Sequence, residues 1–185
     1  LGTMNFGPQV GIEDSLKMVE LFVSEGFKEF DTAYVYNDGD SEKFLGNALK
    51  NINSGSPIIA TKVNPRITGR LDRESIQAQL QESLSRLQRK SVDILYLHFP
   101  DPTTPLYETL ECCSELHKKG YFKELGLSNY PAWQVVHIWH LCKENGWLTP
   151  SVYQGLYNGL SRNIEAELMP ALRELGMRFY AFNPL

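Results

Sequence analysis

Short apolar runs alternate along this chain with longer stretches whose apolar residues recur at helical spacing, and each run closes on a polar position. The runs end at Thr3/Met4, Asp31, Lys62, His98, Ser128-Asn129, Gln154 and Asn183. These ends lie roughly 30 positions apart, the length of a strand-helix unit. Such units, with functional side chains at the strand C-termini, are what a (β/α) barrel needs to build a site on one face.

The pattern predicts a first strand over residues 1–4, closed by the turn-forming Asn5-Phe6-Gly7-Pro8. Over 13–25, Leu16, Val19, Leu21, Phe22 and Val23 are interspersed with charge as on an amphipathic helix, and Gly26 suits its C-cap. Further strands are expected at 27–31, 57–63, 92–99, 122–127, 151–154 and 177–182. Helices are expected at 41–50, 72–88, from the cap Thr104-Pro105 to about 119, at 131–145 and at 162–175. The helix over 72–88 places Ile76, Leu80, Leu84 and Leu87 on one face.

Strict alternation of strand and helix means parallel strands joined by crossover helices, hence an α/β protein. Two architectures compete, an open doubly wound sheet and a closed barrel. The open dinucleotide-binding sheet carries G-x-G-x-x-G after its first strand, and no such string occurs here. Polar residues at every strand end, rather than at one switch point, favour the barrel. Eight strands and about 250 residues are usual for that fold. Residues 1–185 are therefore expected to be a single (β/α)8 TIM barrel domain truncated at both ends, covering strands one to seven, with the larger loss after Leu185.

At 185 residues and 42% hydrophobic, the chain supports one good core. A net charge of −4 and a pI near 5.6 argue against nucleic acid or an anionic membrane as partner. No run of 18 apolar residues is present, and no basic leader precedes an apolar stretch. Cys112 and Cys113 are adjacent and Cys142 is isolated, a pattern of reduced thiols rather than disulfides or zinc, so a cytoplasmic protein is expected.

The chemistry gathers in Asp31, Tyr36, Lys62 and His98. A phenol with a pKa near 10 is a poor proton donor at neutral pH, and an ammonium placed against it lowers that pKa. A carboxylate would hold the lysine charged, and a histidine N–H would orient a carbonyl oxygen and stabilise the charge developing there. The set suits reduction of a carbonyl by hydride delivery with protonation of the forming alkoxide. Each residue also has a plain structural reading: Lys62 as an ordinary ion-pair partner, His98 as a satisfied core group, Asp31 as a turn cap.

The strings FDTAYVY, TK at Lys62, YLHF at His98, GLSN at Ser128-Asn129, YQ at Gln154 and YAFNPL resemble the aldo-keto reductase family in order and spacing, across all 185 residues. LGTMNFG, LSNYPAW, VYQGLYNGLSR and FYAFNPL are most similar to its aflatoxin-aldehyde (succinic semialdehyde) reductase branch. The resemblance implies a barrel that binds NADPH without a Rossmann domain and reduces a small-molecule aldehyde to the alcohol. It implies Tyr36, rather than Tyr34, as general acid, Asp31 and Lys62 as the groups tuning it, and His98 as the contact to the substrate carbonyl. It further implies that Ser128, Asn129 and Gln154 hydrogen-bond the nicotinamide carboxamide and that Phe182 stacks on the ring. Met4, Asp31, Asn183, Pro184 and Leu185 complete the implied cofactor contacts, the last three opening the loop around the pyrophosphate. The residues that bind the adenosine 2′-phosphate in the family follow an eighth strand. Preference for NADPH over NADH is thus implied by resemblance alone.

A homodimer of full-length chains is compatible with this reading. The alternatives are a non-catalytic, redox-sensing binding subunit of the same fold, or an inactive truncated product. The 185 residues alone are expected to be inactive and prone to aggregate. His137 and His140 share a helix face without an acidic or cysteine companion, so no metal site is expected. His117 sits near a helix C-terminus, Trp133, Trp139 and Trp147 read as packing residues, and Arg66, Arg70 and Arg73 as a solvated basic patch.

Overall fold

The computed structural model describes residues 1–52 and 55–185. Six parallel strands form one sheet in sequential order: β1 (Glu29–Asp31), β2 (Ile58–Val63), β3 (Val92–Leu97), β4 (Phe122–Ser128), β5 (Val152–Leu156) and β6 (Arg178–Phe182). The helices are α1 (Ile12–Ser24), α2 (Asp40–Asn51), α3 (Pro65–Thr68), α4 (Arg73–Leu87), α5 (Leu106–Lys118), α6 (Ala132–Glu144) and α7 (Leu168–Glu174). The sheet curls, because side chains of its last strands reach back to its first. Tyr180 Oη donates to Glu29 Oε1 at 2.6 Å, and Gln154 Nε2 donates to Asp31 Oδ1 at 2.7 Å.

The period-2 alternation of each strand divides two cores. Phe30, Ile59, Val63, Leu95, Leu97, Leu125, Leu127 and Tyr153 face the helices and join the large outer core. Ala60, Ile94, Tyr96 and Val152, with Tyr180 packed against them, form a small inner core inside the curl. Gly126 lies in register with Tyr96, and a β-carbon there would overlap the Tyr96 ring. Glycine is thus what lets this large side chain fill the interior.

Three expectations need correction. Residues 1–4 form a single bridge, Gly2 to Asp31, rather than a strand, because the chain turns at once, with Phe6 N–H donating to Thr3 O at 3.0 Å. The predicted helix over 162–175 is a 3-10 turn, Asn163–Glu165, followed by α7 from Leu168. Pro170 lacks an amide hydrogen and crowds the preceding turn, so the regular helix begins just before it. The cap of α5 is Pro105, one residue later than expected, and makes no side-chain cap bond.

The helix α3 had no counterpart in the pattern. It is one turn, capped by Asn64, whose Oδ1 accepts from Arg66 N–H, and stopped by Gly69 at φ 80°. Of the three tryptophans, Trp139 and Trp147 pack on the outer core, whereas Trp133 is 67% exposed. The supposed basic patch is partnered: Arg70 pairs with Asp72, Arg73 with Glu111 and Glu115, and Arg66 lies 3.9 Å over the Phe99 ring. All three cysteines are unpaired and buried, and burial is the main cause that pushes the Cys112 thiol up to about 11. No helix among the described residues is long and apolar enough to cross a membrane.

Candidate active site

Asp31, Lys62, His98 and Ser128 sit at the C-terminal ends of adjacent strands on the inner face, and Gln154 shares that face from the middle of β5, which runs two residues past its expected end. Lys62 Nζ donates to Asp31 Oδ2 at 2.6 Å and to the Thr32 carbonyl at 2.7 Å. It lies 4.9 Å from the centroid of the Tyr36 ring. The lysine is fully buried, and burial works against its charge. Asp31 above all, and then the Tyr36 phenol, outweigh that and hold its pKa above the ordinary lysine value.

Tyr36 stands edge-on to His98, with ring centroids 5.9 Å apart. Three consecutive residues after it, Asn37, Asp38 and Gly39, have positive φ of 50°, 53° and 87°. For Asn37 and Asp38 this conformation is sterically costly and must be held by its surroundings. Asn37 Nδ2 donates to the Met4 and Phe6 carbonyls at 2.7 and 2.8 Å, tying the Tyr36 turn to the first loop. Behind the turn Arg86 donates to Tyr34 O at 3.0 Å and to the buried Glu42 at 3.2 Å, while Glu42 also accepts from Thr61 beside Lys62 at 2.6 Å. Tyr34 itself is turned away, its hydroxyl donating to Glu82 on α4 at 2.6 Å.

His98 continues the β2–β3 ladder, its N–H donating to Val63 O at 2.9 Å. Beyond Leu97 the carbonyls of His98 and Phe99 leave the ladder and accept from Asn129 Nδ2 and Tyr130 Oη at 3.0 and 3.2 Å. That is why β3 stops short of the expected 99. Asn129 adopts φ 64°, a left-handed geometry that Asn tolerates better than most residues.

A cavity of about 960 Å³ opens inside the curl, at the upper end of the range for ligand pockets. Tyr36, His98, Phe99, Asn129, Gln154 and Phe182 line it, as do Tyr96 and Tyr180 of the inner core.

The sequence profile described as "Aldo/keto reductase family" matches residues 1–185. The chain belongs to the aldo/keto reductase family. It is 49% identical to aflatoxin B1 aldehyde reductase member 2 of Rattus norvegicus, over all of this chain and 51% of that protein. It is 48% identical to aflatoxin B1 aldehyde reductase member 4 of Homo sapiens, over all of this chain and 56% of that protein. The chain thus spans about half the length of the curated relatives it matches. Among solved structures, an aldo/keto reductase from Klebsiella pneumoniae in complex with NADP and acetate superimposes with a TM-score of 0.86 at 25% identity. That match covers 98% of this chain and 62% of the other.

In this aldo/keto reductase the cavity wall brings together Met4, Asp31, Tyr36, His98, Ser128, Asn129, Gln154, Phe182, Asn183 and Pro184. Two expected site residues are not on it. Lys62 lies behind Asp31, wholly buried, and Leu185 points into solvent at the end of the chain. Sequence reasoning missed Asn64, which contacts the His98 ring, and the Tyr180–Glu29 closure. The Asn64-Pro65 dipeptide was a readable helix-start signal, whereas nothing local announced the Tyr180–Glu29 pair.

Burial, and then the positive charges of Lys62 and Arg66, push His98 down to about 3. An unfolded histidine titrates near 6.5, so below that pH the unfolded chain takes up a proton that the folded ring refuses. The stabilising contribution is fully present above pH 6.5 and lost as pH falls towards 3. His98→Gln is therefore expected to flatten the acid side of the stability profile, by an amount on the order of a few kcal/mol between pH 7 and pH 4. Denaturant midpoints at the two pH values read this directly. Equal acid sensitivity in the two proteins would show that His98 is not the buried neutral group.

Proposed function

We propose that this chain carries the catalytic half-site of an NADPH-dependent aldehyde reductase whose general acid is Tyr36. The observation that carries the reading is the convergence of Tyr36, His98 and Asp31 on the cavity wall, with Lys62 paired to Asp31 behind it.

The residues fit a nicotinamide carboxamide. Ser128 Oγ accepts from Asn129 Nδ2 at 3.1 Å and keeps its own O–H to donate. Gln154 spends its NH2 on Asp31, and Asn129 spends its NH2 on His98 O and Ser128. Both amides keep a carbonyl oxygen to accept from the carboxamide NH2, matching its donor and acceptor in turn. Met4, Asp31, Asn183 and Pro184 would flank the same group, with Phe182 against the ring. Bound NADPH supplies the hydride that reduces the carbonyl carbon. Tyr36 Oη passes a proton to the carbonyl oxygen as its charge builds, and the phenolate left behind faces the Lys62 ammonium. Asp31 keeps that ammonium in place, and a His98 N–H holds the carbonyl oxygen. The outer edge of β6 has no strand partner among the described residues, so the complete protein, rather than residues 1–185 alone, is the active species in this proposal.

Asn129→Ala and Gln154→Ala are each expected to weaken NADPH binding by about 1–3 kcal/mol, the cost of an unsatisfied buried partner. Fluorescence titration measures this. Unchanged affinity in both variants would place the carboxamide elsewhere. The reductase reading itself requires NADPH oxidation that depends on added aldehyde. A protein that binds NADPH but never oxidises it under any aldehyde would act as a binding subunit instead.

A further inference from the structure

We infer that Asn64 is a positioning residue that fixes the tautomer of His98, leaving the ring's proton on Nε2 for the substrate carbonyl. The inference rests on the reductase reading above and deepens it.

The backbone N–H of Arg66 can only donate, and it donates to one side-chain atom of Asn64 at 2.9 Å. That atom must therefore be the carbonyl oxygen of the amide. The other end of the amide, 3.3 Å from His98 Nδ1, must be the NH2, which can only donate. His98 Nδ1 is left as an acceptor. In a neutral imidazole the proton then sits on Nε2. The ring is neutral because burial, Lys62 and Arg66 all disfavour its charged form.

Asn64 is held for this task more firmly than a helix cap requires. It is 2% exposed. Its backbone N–H donates to Gln79 Oε1 at 2.8 Å, and its backbone carbonyl accepts from Gln79 Nε2 at 3.1 Å. The same Gln79 amide donates to Ser75 Oγ at 3.0 Å, and Ser75 belongs to the first turn of α4. On the opposite side the His98 carbonyl accepts from Asn129, and the ring stacks on Phe99 at 5.0 Å. Asn129 thus anchors the His98 backbone, Phe99 and Tyr36 flank the ring, and Asn64 sets its protonation. The charged and titratable groups facing it are Lys62 from β2, Arg66 from α3 and Tyr36 from the turn after β1, while the uncharged Asn129 after β4 bonds its backbone carbonyl.

Asn64→Asp tests this while keeping the cap, because aspartate accepts from Arg66 N–H as well as asparagine does. The atom facing Nδ1 becomes an acceptor, so Nδ1 must take a proton. In the complete protein with NADPH and an aldehyde, kcat/KM is expected to fall about 100-fold at alkaline pH, where a neutral ring would carry its proton on Nδ1 alone. It should recover as pH falls and the ring gains a second proton that restores Nε2–H. A residue that merely supported the fold would lower activity without that pH signature. Nitrogen-15 spectra of the histidine rings, with His98→Gln identifying the resonance, give an independent reading. The expected result is a bare Nδ1 in the natural protein and a protonated Nδ1 in Asn64→Asp. A protonated Nδ1 in the natural protein, a bare Nδ1 in the variant, or an unchanged pH profile of kcat/KM would each overturn the inference. None of these results touches the reductase reading, which fails separately if aldehyde-dependent oxidation of NADPH is absent.

Discussion

Tyr36→Phe in the complete protein is expected to lower kcat for aldehyde reduction by about 100- to 10,000-fold, the usual worth of a positioned general acid, while NADPH affinity changes little. The variant keeps the ring that stands against His98 and removes the phenol oxygen proposed as the proton donor. In the proposed function the dinucleotide contacts fall to Ser128, Asn129, Gln154 and Phe182, and the amides of Asn129 and Gln154 are bonded to Ser128, His98 O and Asp31 rather than to the phenol. Tyr34→Phe is the natural control. Its hydroxyl is engaged with Glu82 outside the cavity, so its loss is expected to alter turnover only a few-fold. Loss of most turnover in Tyr34→Phe, with Tyr36→Phe nearly intact, would reverse the assignment.

Lys62→Met is expected to combine a comparable loss of turnover with a loss of about 3 kcal/mol in stability, the lower end of what breaking a buried pair costs. The wholly buried ammonium is the partner of Asp31 and of the Thr32 carbonyl; without it Asp31 keeps the Gln154 donor but loses its counter-charge, and the carbonyl loses its side-chain donor. Adding Asp31→Asn to Lys62→Met removes the stranded carboxylate and is expected to restore part of the stability but none of the turnover. Because the lysine's pKa is raised in the fold, the stabilisation it gives is present below pH 10.5 and lost as pH rises through the folded value. The alkaline limb of the stability profile should accordingly be shallower in the double variant. Full turnover in the double variant would show that the ammonium serves the fold alone.

The parts of this molecule that repeat were the parts legible in its sequence. The strands β2 to β6 and their helices alternate at periods of 2 and 3.6, and each strand end carried a polar residue that the fold turns inward. Boundaries set by a single residue shifted: Pro170 delays α7, and α3, one turn too short for any periodicity, is marked in the sequence only by its Asn64-Pro65 start. The failure at residues 1–4 has another cause. An apolar run becomes a strand only if a neighbour continues the ladder, and the chain turns away at Phe6 after one bridge. Within the site, Asp31, Lys62 and His98 were visible as strand-end chemistry. What joins them was not, since the Gln154–Asp31 bond spans 123 positions and the Asn64–His98 contact spans 34. Pairings of that kind depend on how far the sheet curls, which no local pattern records.

The reaction proposed for the Tyr36 cavity is aldehyde reduction with hydride from NADPH. The most direct measurement incubates the complete protein with an aldehyde and NADPH deuterated at its transferable position, then examines the alcohol by mass spectrometry. One deuterium is expected on the carbinol carbon with the natural protein, and none above background over the same time with Tyr36→Phe although it still binds NADPH. Unlabelled alcohol, no alcohol at all, or equal labelling by the two proteins would contradict it.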